Sequence, residues 1–203
     1  MIDNIKDNLH IYVVILAVLL VVSNLAYHFI NSNTLFLDDF GAYHKSAKVT
    51  KELETFAKDI VSKCDIDDDV CRVQSLLDYV TNIPYKINKF PAHQPLDTIK
   101  RNYGDCDDKS NLMISFLKSL NYKSYLVIVP KHAYVIVNIP NDYDGVLDYK
   151  KAFYIGDKKF YELETTAKNS KIGFAHNDFP KNIKAIYDPF LNKKVDLDKV
   201  VYH

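Results

Sequence analysis

Residues 11–22 run without a single charged or strongly polar side chain. After Ser23 and Asn24 the apolar character resumes in Leu25, Ala26, Tyr27, Phe29 and Ile30. Together these make about 20 residues, or about 30 Å of α-helix, the thickness of a bilayer core. Three readings fit such a run: an uncleaved anchor, a cleaved signal peptide and a buried core helix. The preceding residues Asp3, Lys6 and Asp7 are not net positive. Asn24-Leu25-Ala26 is a poor small-x-small cleavage site. Tyr12 and Tyr27 stand near the ends, where interfacial aromatics collect. The anchor reading is therefore preferred, with a tail over 1–10, a single span over 11–30, a polar connector over 31–45 and one domain over 46–203. Lys6 precedes the span, and the next basic residue, Lys45, comes 15 positions after Ile30. That asymmetry places the amino terminus inside the cytoplasmic membrane and the domain outside it.

With the span set aside, residues 31–203 carry 25 basic and 24 acidic side chains. So even a balance speaks against a broad nucleic-acid footprint, which needs clustered Lys and Arg. At 48% hydrophobic residues in a chain of 203, there is material for one real core. A helical period marks 46–63, where Val49, Leu53, Phe56, Ile60 and Val61 recur at spacings of three and four. Asp67 to Asp69 offer caps for a second helix bearing Val73, Leu76, Leu77 and Val80, and Pro84 stops it. Gly104 and Asp105 precede a third helix over 106–120, with Leu112, Met113, Phe116, Leu117 and Leu120 on its apolar face. Strands then follow at 125–129 and 133–139, a hairpin at 153–163 turning on Gly156 and Asp157, and a last strand at 183–187. Helices first and an antiparallel sheet after them is an α+β pattern.

Three residues in this layout can support thiol chemistry. Cys106 stands where a helix begins, and a helix N-terminus and a nearby imidazole both favour thiolate. His132 starts a strand, and Glu164 ends a later one, able to orient an imidazole. Each has an ordinary reading too: a buried small hydrophobe for the Cys, strand-edge polarity for the others. Alternation does not separate Glu162 from Glu164, since both face one side of the strand. Cys64 and Cys71 would lie about 10.5 Å apart on one continuous helix, too far for a disulfide. If 65–70 is a turn, a bridge becomes feasible and leaves Cys106 as the odd thiol; two unpaired cysteines remain an equal alternative. His44, His93 and His176 have no partners at metal-ligand spacing and read as surface residues.

The stretch 95–122, centred on Gly104-Asp105-Cys106 and continuing through Asp108-Lys109, resembles the catalytic segment of the transglutaminase-like superfamily. His132-Ala133-Tyr134-Val135 matches that family's His-Ala-x-Val. Leu163-Glu164-Thr165-Thr166 is similar to its Leu-Asp-Pro-Thr strand end, with Glu for Asp and Thr for Pro. The resemblance covers about 70–175 and is what selects Glu164 over Glu162.

The resemblance implies an α+β transglutaminase-like, papain-like domain behind an N-terminal transmembrane helix, with Cys106, His132 and Glu164 as a catalytic triad. His132 would take the thiol proton, Cys106 would attack an amide carbonyl, and a thioester would pass to water or to an amine. The expected substrate is a protein or peptide, with no nucleic-acid partner and no required cofactor. Many relatives stabilise the oxyanion with an upstream aromatic or amide, often Trp. This chain has no Trp, which leaves Gln94 as the candidate. Asp108 and Lys109 belong to the family signature and are expected to be structural. Some secreted relatives bind calcium beside the cysteine, which makes Asp105 and Asp107 candidate ligands. The Glu-for-Asp change, the absent Trp and the acidic neighbours of Cys106 support an alternative: a non-catalytic interaction module or accessory subunit of a membrane complex.

Overall fold

The computed structural model describes residues 9–34, 46–88, 92–142, 145–174 and 182–203. Chain contacts divide it into two units, residues 1–39 and 40–203. In the first unit, α1 (Leu9–Thr34) is a 26-residue helix. Side chains are described for 11–26, and all of them are exposed. Among the described residues, no helix is long and apolar enough to cross a membrane.

The second unit begins with α2 (Lys51–Ile60), shorter than the predicted 46–63 because Thr50 caps it, its hydroxyl accepting the Leu53 N–H at 3.2 Å. Val49 falls outside the helix and is exposed. The chain then turns, and Asp68 caps α3 (Asp69–Asn82) by accepting the Cys71 N–H at 2.8 Å. Cys64 and Cys71 are joined by a disulfide across this turn, with Cα atoms 5.7 Å apart. A short helix absent from the sequence reading follows, α4 (Pro95–Arg101), with Pro95 at its first turn and Asn102 ending it at φ 53°. The central helix is α5 (Cys106–Ser119).

Seven strands complete the unit: β1 (Ser124–Val129), β2 (His132–Val137), β3 (Phe153–Ile155), β4 (Lys158–Leu163), β5 (Ala185–Asp188), β6 (Lys193–Lys194) and β7 (Val200–Tyr202). They form one sheet in the order β6-β5-β1-β2-β4-β3-β7, every pairing antiparallel. The expected hairpin joins β3 and β4, with Gly156 supplying the positive φ of its turn. β6 and β7 went unpredicted: Lys193-Lys194 carries no apolar signal, and Val200–Tyr202 is only three residues long. The helices cover one face of the sheet with a core of Leu53, Leu76, Leu77, Met113, Phe116, Val135 and Leu163 among others. A second cluster, including Val127, Tyr134, Ile136, Phe153, Phe160 and Ile186, packs on the other face.

The sequence suggests a one-sided α5, but the helix is buried all round from Asp108 to Leu117. The polar residues among these are held by named partners. Ser110 Oγ donates to Ala133 O at 2.9 Å, Asn111 Nδ2 to His93 O at 2.7 Å. Lys109, 1% exposed, donates from Nζ to Ile83 O at 2.9 Å and Thr81 O at 3.4 Å. A buried cation thus satisfies carbonyls at the C-terminal end of α3, where the helix dipole favours positive charge. Burial lowers its pKa to about 8, against the opposing pull of Glu164. Lys109→Met should strand those carbonyls and cost about 2–3 kcal/mol in chemical denaturation, whereas a loss below about 0.5 kcal/mol would show that the bonds carry no stability.

Candidate functional site

The N-terminus of α5 is assembled by short-range rules. Asp105 is its N-cap: Oδ1 accepts the Asp108 N–H at 3.4 Å, and Asp108 Oδ2 accepts the Asp105 N–H at 3.4 Å, a reciprocal capping box. Gly104 is required just before it, since a Cβ there would sit 2.7 Å from Asp108 Cβ. The close approach lets an extended strap, residues 84–88, run beside Gly104 through a parallel bridge at Tyr85.

Cys106 is the first residue of α5 and is partly buried. Its sulfur lies 3.7 Å from Asp107 Oδ1 and also meets the backbone N–H of Ala133. Burial foremost, then the charges of Asp107 and Asp105, push the thiol up to about 12, although the Ala133 and Asp107 backbone contacts pull the other way. The thiol of the free protein is therefore protonated at neutral pH.

His132 opens β2, one residue before Ala133. Its Nε2 is 2.7 Å from Glu164 Oε2. The ring stacks on Tyr134 at 6.3 Å between centroids, and 23% of the side chain remains exposed. Glu164 follows the end of β4 and is buried. Its other oxygen accepts from Thr166 N at 2.8 Å and Thr166 Oγ1 at 2.6 Å. Burial alone would raise its pKa; the His132 bond and charge, with both Thr166 bonds, outweigh that and hold it below the ordinary value. The antiparallel register, with Val135 opposite Leu163, puts the start of β2 beside the end of β4. Ser110 fastens α5 to the same place, bonded to Ala133 O and lying 3.1 Å from Thr165 Oγ1. Cys106, His132 and Glu164 thus share one end of the sheet.

Of the other candidates, Gln94 opens α4, and Asp105 and Asp107 flank Cys106 at the start of α5. Gln94 is the exposed N-cap of α4, without a side-chain capping bond. Both oxygens of Asp105 are engaged, Oδ2 accepting the Asn88 N–H at 2.8 Å, and Asp107 sits against the thiol. A calcium ion takes six to eight converging oxygens, of which these two side chains would supply only part. Among the described residues no group of three or more His, Cys, Asp or Glu is disposed to hold a metal. A cavity of about 790 Å³ beside the disulfide is lined by Asp65, Ile66, Asp67, Asp68, Gln74 and Asp142 among others, with none of Cys106, His132 and Glu164.

Tyr85 escaped the sequence reading, and His93 and Glu162 were read there without their partners. His93, expected at the surface, is largely buried against Asp108: its N–H donates to Asp108 Oδ1 at 2.6 Å, and Nδ1 lies 3.3 Å from Oδ2 without hydrogen-bond alignment. No local pattern joins residues 15 apart. His44 and His176 lie outside the described residues. Tyr85 stands close enough to the site that burial, then the charges of Cys106, Asp105, Asp107 and Glu164, raise its pKa. The alternation Tyr85-x-Ile87 after Pro84 was the available signal, and Pro84 was read only as a helix stop. Glu162 lies two residues before Glu164 on the same strand face, 1% exposed, with neither carboxyl oxygen hydrogen-bonded.

Residues 54–150 match the model of the transglutaminase-like superfamily core, a span holding Cys106 and His132 but ending before Glu164. Among solved structures, the chain is similar to a proposed protease of Parabacteroides distasonis ATCC 8503, at 15% identity over 63% of this chain and 26% of that one, with a TM-score of 0.45. It is also similar to a proposed cysteine protease of Cytophaga hutchinsonii, at 16% identity over 74% of this chain and 40% of that one, with a TM-score of 0.39. The chain thus spans well under half the length of either. No curated protein matches the sequence.

Burial, then the charge of Glu164, raises the Glu162 carboxyl from 4.5 to about 8. Between those values the folded state holds a proton that the unfolded chain has released, so stability falls as pH rises through that window. Glu162→Gln cannot titrate. Its melting temperature relative to wild type should climb from pH 5 to pH 8, and a pH-independent difference would show that Glu162 ionises normally.

Proposed function

We propose that this chain is a membrane-anchored thiol enzyme of the transglutaminase-like class, acting on amide bonds of proteins or peptides through a Cys106 thioester. The observation that carries this reading is the 2.7 Å bond between His132 Nε2 and Glu164 Oε2, at the sheet end where the α5 N-terminus presents the chain's free cysteine. A buried carboxylate on one imidazole nitrogen fixes the ring and stabilises the imidazolium, leaving the base function to the other.

Because the resting thiol is protonated, His132 acts as a general base during attack and not through a standing ion pair. The Cys106 proton passes to His132 as sulfur bonds to the carbonyl carbon. The tetrahedral intermediate then expels the amine, which takes that proton. Water ends the cycle by releasing a carboxylate, or an amine ends it by forming a new amide. The first-turn N–H of Cys106 takes the oxyanion role, with Gln94 and the Tyr85 hydroxyl as candidate partners. Calcium has no part in this reading, because the Asp105 carboxylate is committed to capping.

An activated acyl ester should label the wild type at Cys106 alone, since Cys64 and Cys71 are bonded to each other. Cys106→Ala should abolish labelling and His132→Ala should slow it about 100-fold or more. Labelling that survives Cys106→Ala would sink the assignment. A second reading, a non-catalytic module or accessory subunit in a membrane complex, is favoured by the raised thiol pKa. It is adopted if the wild type takes no label.

Anchoring by residues 11–30 is supported by the exposed apolar side chains of α1. The disulfide supports a domain on the outer side of the membrane, where such bonds persist. Arginines at Leu16 and Leu20 would each cost about 3 kcal/mol in a bilayer core. The double variant should move the full chain from an alkali-washed membrane fraction into the soluble one, and retention in the membrane contradicts the anchor.

A further inference from the structure

We propose that Glu162 is a positioning residue of the thiol site, a second buried carboxyl whose ionisation strengthens His132 as a base by acting through Glu164. This deepens the thiol reading above and rests on it. Glu162, and Glu164 just past the end of β4, keep to the sheet face away from the helices. Ile136, directly opposite Glu162 on β2, packs in the cluster on that face, as does Phe160 two residues earlier on β4. Neighbours on one face of a strand stand about 7 Å apart along the chain, so each carboxyl lies within the other's field. From there the path to the base is one bond long, since Glu164 Oε2 lies 2.7 Å from His132 Nε2.

The surroundings keep Glu162 neutral at neutral pH. It is 1% exposed, and among the described residues neither of its oxygens has a hydrogen-bond partner. β3 brings Phe153 to the same cluster, and Gly173, whose N–H bonds to Glu162 O at 2.8 Å, has no side chain to offer. The titratable groups that face Glu162 are Glu164, Tyr134 of β2 and Tyr202 of β7. Burial foremost, then the charge of Glu162, raises both phenols, so neither brings a charge near neutral pH. An enclosed carboxyl beside a fixed negative charge holds its proton, here up to about 8. An apolar side chain would fill this place without an unbonded polar group. What the carboxyl adds is a change of charge. When Glu162 gives its proton to solvent, a second negative charge stands behind Glu164, and the imidazolium of His132 gains a further opposite charge. The proton affinity of the ring rises, and a stronger base takes the Cys106 proton faster. The site thereby gains reactivity in mildly alkaline surroundings.

Three forms of the full chain test this: wild type, Glu162→Gln and Glu162→Met, two neutral replacements of similar size, either of which suffices if the other fails to fold. Hydrolysis of p-nitrophenyl acetate is followed per titrated thiol, net of the Cys106→Ala background. The ratio of wild-type to variant kcat/KM should rise about threefold between pH 7 and pH 9, with its midpoint near the Glu162 value of about 8. A side chain that only fills space would shift this ratio equally at every pH. The ring nitrogens of His132, followed by 15N resonance, give a readout that needs no turnover. The wild type should show a step at the same midpoint, and both variants should lack it. A pH-independent rate ratio, or a His132 step that persists in the variants, overturns the role of Glu162 and leaves the thiol chemistry standing. A rate step with no step at His132 overturns the route through Glu164. If the wild type hydrolyses no ester at any pH, the thiol reading itself fails and this role falls with it.

Discussion

The carboxylate of Asp108 is fully buried, and the site end of the molecule is organised around it. It accepts the His93 N–H at 2.6 Å and the Asp105 N–H at 3.4 Å, and lies beside the His93 ring. Burial raises its pKa, while the N–H groups of His93 and Asp105, converging on it from separate pieces of chain, pull the other way. One side chain thereby fixes the first turn of α5, the segment leading to α4 and the approach of the strap. Lys109, the next residue, reaches the other way to the end of α3. Between them they hold a helix with no solvent face, and Cys106 is placed by that immobility.

Much of this was readable from residue order. The start of α5 at Cys106 followed from Gly104 and Asp105, and the positions of His132 and Glu164 at strand ends followed from β-branched runs and turn residues. The all-round burial of α5 was hidden because Lys109, Ser110, Asn111 and Ser115 interrupt its apolar stripe; only their partners, at Ile83, Ala133 and His93, make them core residues. Asp105 is ambiguous in sequence for a related reason. A carboxylate beside a cysteine looks the same in sequence whether it binds a cation or caps a helix. In the fold it caps, because Asp108 N–H and Asn88 N–H are within reach.

The thiol shows the cost of such placement. A helix N-terminus ordinarily lowers a cysteine pKa, yet burial and Asp107 reverse the sign here. A proton kept on sulfur slows disulfide exchange at Cys106, because the thiolate is the reactive form. On the proposed reading, reactivity arrives with substrate, which brings a carbonyl to the sulfur and a route for the proton to His132.

Glu162 and Glu164 show how strictly this arrangement divides labour between like groups. They stand two residues apart on one strand face, both nearly inaccessible to water, and like charges so placed cannot both ionise cheaply. Glu164 has His132 and both donors of Thr166, so it keeps its charge. Glu162 has the charge of Glu164 for company and, among the described residues, no hydrogen-bond donor, so it keeps its proton. Alternation alone makes the two equivalent in sequence. The three donors that meet at one carboxylate and not at the other are what separate a charged group from a neutral acid.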